Sequence, residues 1–268
     1  MQVVDYSEER GEQEAPEASD PLEEPEQWDP ECVAEFTFDL AFDPYFTEQG
    51  ERAEVNETFQ MNGQTLTLED AEIYPTHIRL NFADDPGNSA YLKDLDFYLT
   101  NEAGKRFEPI SNGITSTGSV DSPMTRSFRV ESSFFANSEH LTLHITGATY
   151  LDKDRQRVAL DLAACEAEYL PEGVEFIRSE RKENGWILTF RAQKRGKAFY
   201  NLWSSVYYGT DGTKYEMRSW GTGIDPEGGE DTFAVEIPLT DYTEDRVYLE
   251  PLYTRRETLS QPVSIPIR

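Results

Sequence analysis

Period-2 alternation of apolar residues, turn chemistry between the alternating runs and the lack of any sustained helical period predict an all-β chain. The fold class is two tandem immunoglobulin-like antiparallel β-sandwich domains behind an acidic, disordered N-terminal segment. The divisions fall at residues 1–31, 32–168 and 169–268.

The first segment, "MQVVDYSEERGEQEAPEASDPLEEPEQWDPE", is rich in Glu and Pro and offers little to bury. Residues 1–35 carry thirteen Asp or Glu against Arg10 alone. Such a stretch cannot offset its ordering entropy, so it reads as a solvated stalk. Alternation begins at Cys32. "AEFTFDLAF" sets Phe36, Phe38, Leu40 and Phe42 on one face, and "THIRLNF" does the same with Ile78, Leu80 and Phe82. "DLDFYLT", "HLTLHI" and "RVALDL" follow, with Leu95, Phe97 and Leu99, then Leu141, Leu143 and Ile145, then Val158, Leu160 and Leu162. Each is a strand with one wet face. Asn62-Gly63, Asp85-Pro86-Gly87 and Glu102-Ala103-Gly104 supply turns. A two-residue turn at Asn62-Gly63 pairs Phe59 with Leu66.

Leu170-Pro171-Glu172-Gly173 reads as a linker. Beyond it "GWILTF", "DTFAVEIPL", "RVYLEPLY" and "QPVSIPIR" restart the alternation. Between them lies "NLWSSVYYGTDGTKYEMRSWGTG", residues 201–223, in which aromatic rings surround an Asp-Gly turn. A two-residue Asp211-Gly212 turn sets Trp203 opposite Trp220, Val206 opposite Met217 and Tyr208 opposite Tyr215. One face then collects Leu202, Val206, Tyr208, Tyr215 and Met217 as core. The other collects Phe199, Trp203, Tyr207 and Trp220 beside Asn201, Ser205, Glu216 and Arg218. A one-residue shift, as a three-residue turn would produce, sets Tyr207 opposite Tyr215 and mixes the faces, so the first register is preferred. Trp203, Trp220, Tyr207 and Arg218 are therefore the candidate binding residues. Flat rings beside polar groups suit a sugar or a peptide; the competing account is that the rest of the protein covers this face.

The chain carries 52 acidic and 24 basic residues, a formal charge of -28. Long-range repulsion from phosphate backbones disfavours nucleic acid, and the same holds for an anionic membrane surface. No run approaches the ~20 apolar residues of a membrane helix, so direct insertion is not expected. The opening residues lack the basic and apolar regions of a signal peptide. Cys32 and Cys165 are too few for a disulfide scaffold and too scattered for zinc. They are either two unrelated thiols or one disulfide tying a domain's first strand to its last, the latter in an oxidising compartment.

Nothing points to catalysis. His140 and His144 share a strand face but lie ~13 Å apart at ~3.4 Å per residue, too far to share a metal. His77 faces outward on another strand. "DPEGGED", residues 225–231, lacks the ligand spacing of a calcium loop. No Gly-x-Ser-x-Gly elbow or phosphate-binding glycine loop occurs. No metal or cofactor is expected, and no enzymatic activity.

"FQMNGQTLTLEDAEIYPTHIRLNF", "LKDLDFYLTNEAGKRFEPISNGITSTGS" and "SSFFANSEHLTLHITGATYLDKD" resemble the extracytoplasmic region of anti-sigma-factor-like membrane proteins of Firmicutes, an uncharacterised-domain family. The likeness runs from Thr58 to Asp154, with a weaker one in the second domain to a C-terminal partner domain. It implies a cytoplasmic segment that binds a sigma factor, one membrane helix and β domains outside the cell. This chain lacks the first two parts, as an ectodomain or a diverged soluble relative would, and residues 1–31 suit a juxtamembrane spacer. The resemblance brings no site residues with it. The expected role is a non-enzymatic sensory or interaction domain recognising an envelope ligand or protein, its sigma factor reached only through the cytoplasmic part. The alternative is a carbohydrate-binding or adhesin-like surface module on the Trp203/Trp220 face.

Overall fold

A computed structural model describes residues 2–4, 32–35 and 50–268, apart from 112, 120, 121, 137, 195–200, 218, 226 and 227. It is all-β, with two groups of antiparallel sheets, each group a β-sandwich.

A separate unit, residues 1–48, holds an antiparallel pair, β1 (Gln2–Val4) and β2 (Cys32–Glu35). Gln2–Val4, inside the segment expected to be a solvated stalk, forms a paired strand. Val3 and Val4 are the apolar residues at the segment's start, and Val3 pairs with Ala34. The rest of the expected stalk lies outside the described residues, as does the alternation of Phe36, Phe38, Leu40 and Phe42.

The second unit begins with β3 (Glu51–Met61), β4 (Gln64–Ile73), β5 (His77–Asp84) and β6 (Ala90–Asn101). It continues through β7 (Arg106–Phe107), β8 (Ser116–Ser119), β9 (Ser122–Glu131) and β10 (Leu141–Asp152). Next come β11 (Val158–Asp161), β12 (Glu166–Ala167), β13 (Val174–Lys182), β14 (Gly185–Gln193) and β15 (Trp203–Tyr208). The last are β16 (Lys214–Glu216), β17 (Gly221–Ile224), β18 (Thr232–Thr240), β19 (Arg246–Pro251) and β20 (Arg255–Pro266).

The first sandwich packs the sheet β3-β4-β5-β9-β8 against β20-β10-β6-β7. Its strands follow the alternation: Ile78, Leu80 and Phe82 are buried, as are Leu95, Phe97, Leu99, Leu141, Leu143 and Ile145. Asn62 and Gly63, at φ 53° and 76°, form the mirror-image turn that suits strand twist, and Phe59 pairs with Leu66. Gly147 sits at a shift in the register of β10, where a Cβ would come within 2.8 Å of the Glu257 carbonyl oxygen. The backbones of β10 and β20 can approach there only because the side chain is missing.

The second sandwich packs β12-β11-β19-β15-β16 against β13-β14-β18-β17. Three strands lie on the other side of the boundary expected at residue 168. β11 and β12 pair within the second sandwich, where Val158 faces Leu249. β20, the "QPVSIPIR" strand, returns to the first sandwich, with Leu143 opposite Ile265 and Ile145 opposite Val263. Alternation assigns a strand its wet and dry faces but does not name its neighbour, which is why these three strands fall across the expected boundary.

The chain therefore crosses between sandwiches twice, and the crossings run side by side. The Thr254 N–H donates to the Tyr150 carbonyl at 2.8 Å, and Arg255 Nε pairs with Asp152 Oδ1 at 3.0 Å. Ile265 and Ile267 lie in the first core, 2% and 6% exposed. Burying each is worth about 1.5–3 kcal/mol. Deleting residues 255–268 should therefore lower or abolish the melting transition of the first sandwich. The buried environment of Trp203 in the second should persist, as read by fluorescence during thermal unfolding.

Candidate functional site

The hairpin of β15 and β16 adopts the register that the sequence reading set aside. Tyr207 lies opposite Tyr215, Val206 opposite Glu216 and Tyr208 opposite Lys214. The cause is the loop. Gly209 N–H bonds the Thr213 carbonyl at 2.9 Å, enclosing the three residues Thr210, Asp211 and Gly212. Gly212 takes φ 84°, the left-handed position that closes a three-residue hairpin loop. Asp211 Oδ1 accepts the Thr213 N–H at 2.8 Å, a bond that holds the carboxyl below its ordinary range. Thr210 donates its N–H and hydroxyl to Glu244 at 3.0 and 2.6 Å.

Leu202 and Met217 are buried as expected, but Trp203 and Tyr207 exchange faces with Val206 and Tyr208. Trp203 and Tyr207 enter the core, 6% and 2% exposed, while Val206 and Tyr208 are only half-buried. The Trp203 ring lies 5.0 Å from Phe190. Tyr207 stacks on Tyr215 at 5.1 Å, and both meet Tyr242 edge-on. Tyr208, expected in the core, instead carries the Arg157 guanidinium 3.6 Å above its ring. Of the four candidate binding residues, Trp203 and Tyr207 are core, Trp220 is 44% exposed, and Arg218 lies outside the described residues. Phe199 lies outside them too. Trp203 and Trp220 do line a common crevice with Met217, Thr222 and Ile237, but its volume of about 10 Å³ is no larger than a water.

Cys165 carries a free thiol in the turn between β11 and β12, at φ 56°. The side chain of Cys32, its candidate disulfide partner, lies outside the described residues. His144 Nε2 and Nδ1 bond Thr100 and Ser264 at 2.8 and 2.9 Å, and the ring stacks on Tyr98. Both ring nitrogens are thus engaged by hydroxyls. Among the described residues no group of three or more His, Cys, Asp or Glu is placed to hold a metal, and no helix is long and apolar enough to cross a membrane.

A sizeable concavity lies on the sheet β13-β14-β18-β17. It encloses about 570 Å³ between Ile177 and Arg178 on one side and Gly221, Thr222, Gly223 and Ile224 on the other, floored by Thr189, Arg191, Ala234 and Glu236. A bulge at Ile177 turns that side chain outward, leaving it 39% exposed, and Ile224 is 81% exposed. The charges at the floor are paired. Arg191 bonds the buried Asp225 and pairs with Glu175 at 3.2 Å, and Arg178 lies 3.8 Å from Glu236. Asp225 is thus packed at the base of its loop, whose Glu230 and Asp231 are exposed. A Cβ at Gly228 would fall 2.0 Å from the Asp225 carboxylate, so a larger residue there would have to displace it. The sequence reading missed this groove. The one local signal was "GTGI", a strand-length run with no charge.

Residues 51–173 match a family described only as a family of unknown function (DUF5643). The matched stretch runs from β3 to β12, taking in the first sandwich except β20 together with β11 and β12 of the second, and stops before the groove. No curated protein and no solved structure matches the chain.

Two outcomes follow from the swapped faces. In single-Trp variants, iodide should quench Trp220 strongly and Trp203 weakly; Trp203→Ala should cost about 3–5 kcal/mol of stability, the usual range for an aromatic cut from a core. Tyr242 gives a pH test. Burial first, and then Glu244, raise its phenol pKa. Its neutral form therefore stabilises the fold fully below the unfolded value near 10, and that contribution is lost as pH climbs toward the folded value. Tyr242→Phe should flatten the fall in stability above about pH 10 in alkaline denaturation curves.

Proposed function

We propose that this chain is a non-enzymatic, extracytoplasmic interaction and sensing module, built on immunoglobulin-like sandwiches, of an anti-sigma-factor-like regulator anchored in the membrane. The observation that carries the interaction part is the groove of about 570 Å³ beside β17, walled by the exposed Ile177 and Ile224. Its arginines are held by carboxylates, so the surface is preorganised for a ligand while carrying no reactive group. Support for the regulatory part is the likeness of Thr58–Asp154 to such proteins. In this reading a sigma factor is held by a cytoplasmic segment, and an envelope ligand biases the module between two states by binding one more tightly.

The carbohydrate-binding alternative asked for a pair of open rings at Trp203 and Trp220. With Trp203 in the core, a single exposed indole is left, and the interaction reading is the stronger. Its test is deletion of the gene in the native host followed by transcript profiling with and without cell-wall stress. One sigma-dependent set of transcripts should lose its stress response. An unchanged profile under both conditions overturns the reading.

A further inference from the structure

We propose that β17 is the acceptor edge for an extended basic segment of a partner protein, which adds to the sheet β13-β14-β18-β17 as a fifth strand. The inference rests on the interaction reading above and names the partner's chemistry.

An edge strand presents a row of N–H and C=O groups to any passing strand, and natural sheets protect such edges with charge, proline, bulges or brevity. The other edges of the two sandwiches are protected. β3 and β13 carry charged side chains and a bulge each. β20 has Pro262 and a shift in register, and β8 has two shifts. β7 and β12 are two residues long, and β16 is three with a lysine. β17, Gly-Thr-Gly-Ile, pairs with β18 in unbroken register and is exposed at every residue. Among the described residues no strand lies on its far side.

The glycines are the second observation. Gly weakens a strand, and where the fold does not demand it, it marks a close approach by a ligand or another backbone. The fold does not demand Gly221 or Gly223. A Cβ at either meets no heavy atom within 4 Å, and neither has a positive φ. Both therefore leave space open at the groove, which they line.

The side chains specify the occupant. Trp220, Thr222 and Ile224 occupy alternate positions, so they share one face along ~14 Å of edge. Trp220 is 44% and Ile224 81% exposed, a stripe for the apolar residues of an alternating strand. On the glycine positions the incoming side chains meet Glu236, the partner of Gly221 in the ladder. The loop leaving β17 adds the exposed Glu230 and Asp231. Lysine or arginine at every second residue complements these acids. A second copy of the chain is disfavoured, because each copy carries a formal charge of -28.

The probe is a synthetic peptide of about ten residues alternating Lys with Val or Thr, with a Glu-for-Lys counterpart, titrated into the ¹⁵N-labelled chain. The Lys peptide should shift the amides of residues 221–224 and 234–236, and the Glu peptide should not. The neutral double variant G221V/G223V and the edge-protecting Ile224→Lys should each weaken binding at least tenfold, with the remaining amide spectrum unchanged. Shifts scattered over the acidic surface, or affinity unaltered in both variants, overturn the proposal. So does a dimer in light scattering that Ile224→Lys dissociates, which would assign the edge to a second copy. If peptide binding fails while gene deletion still alters a sigma-dependent transcript set, the edge assignment is wrong and the sensing reading stands. If the peptide binds and deletion is silent, the edge stands and the sensing reading falls.

Discussion

The pairing of β10 with β20 is the constraint on which the architecture of residues 50–268 depends. It returns the C-terminal strand to a sandwich whose other strands lie more than a hundred residues earlier in the chain. The connection into the second sandwich, after Asp152, is thereby held beside the connection back, at Thr254. Two anchored crossings restrict relative rotation far more than one flexible linker would. Polar groups bond across the junction: the Asp152 carboxylate accepts from Arg255 Nε and the Thr254 hydroxyl, and Glu172 accepts the Arg256 N–H. A long-range closure of this kind carries a high entropic cost in folding, because β20 can dock only after much of the intervening chain is placed.

Strand existence and strand face were legible in the sequence, because a half-buried strand must alternate and its turns need particular backbone angles. Ile78, Leu80 and Phe82, or Phe233, Val235 and Ile237, all point inward as their spacing requires. Neighbours were not legible: the pattern of "QPVSIPIR" suits any sheet with a dry face, and its partner β10 is chosen by three-dimensional packing. The same gap explains the reversed hairpin. "GTDGT" fits a two-residue turn at Asp-Gly or a three-residue loop ending at Gly212, and these differ by one residue of register. The anchoring of Thr210 by Glu244 and of Asp211 by Thr213 favours the longer loop. Neither Glu244 nor its reach is visible from the hairpin's own residues. One residue of slip exchanged the fates of Tyr207 and Tyr208.

The candidate site illustrates why a run of aromatic residues is a weak guide to a binding face. Tyr207, Tyr215 and Tyr242 fill part of the core by mutual stacking and edge contacts, and Trp203 packs on Phe190. The exposed groove is lined by residues that attract no notice in a sequence: an isoleucine at a bulge, two glycines, a threonine and paired charges. Its visibility depends on the bulge at Ile177 and on the free edge of β17, both properties of pairing and not of composition.

Charge and edge act together in this surface. A formal charge of -28 keeps copies of the chain apart, so the protein can leave β17 open where a neutral protein would risk edge-to-edge association. The repulsion falls off within a Debye length, about 8 Å at physiological ionic strength, so it acts on approach and leaves a docked strand governed by local contacts. A basic strand experiences the opposite sign of the same field and is drawn toward the acidic surface, where the open ladder, Trp220 and Ile224 can then hold it. Selectivity among extended segments would then rest on two independent filters, net charge at long range and alternation at contact, each of which excludes strands that the other would admit.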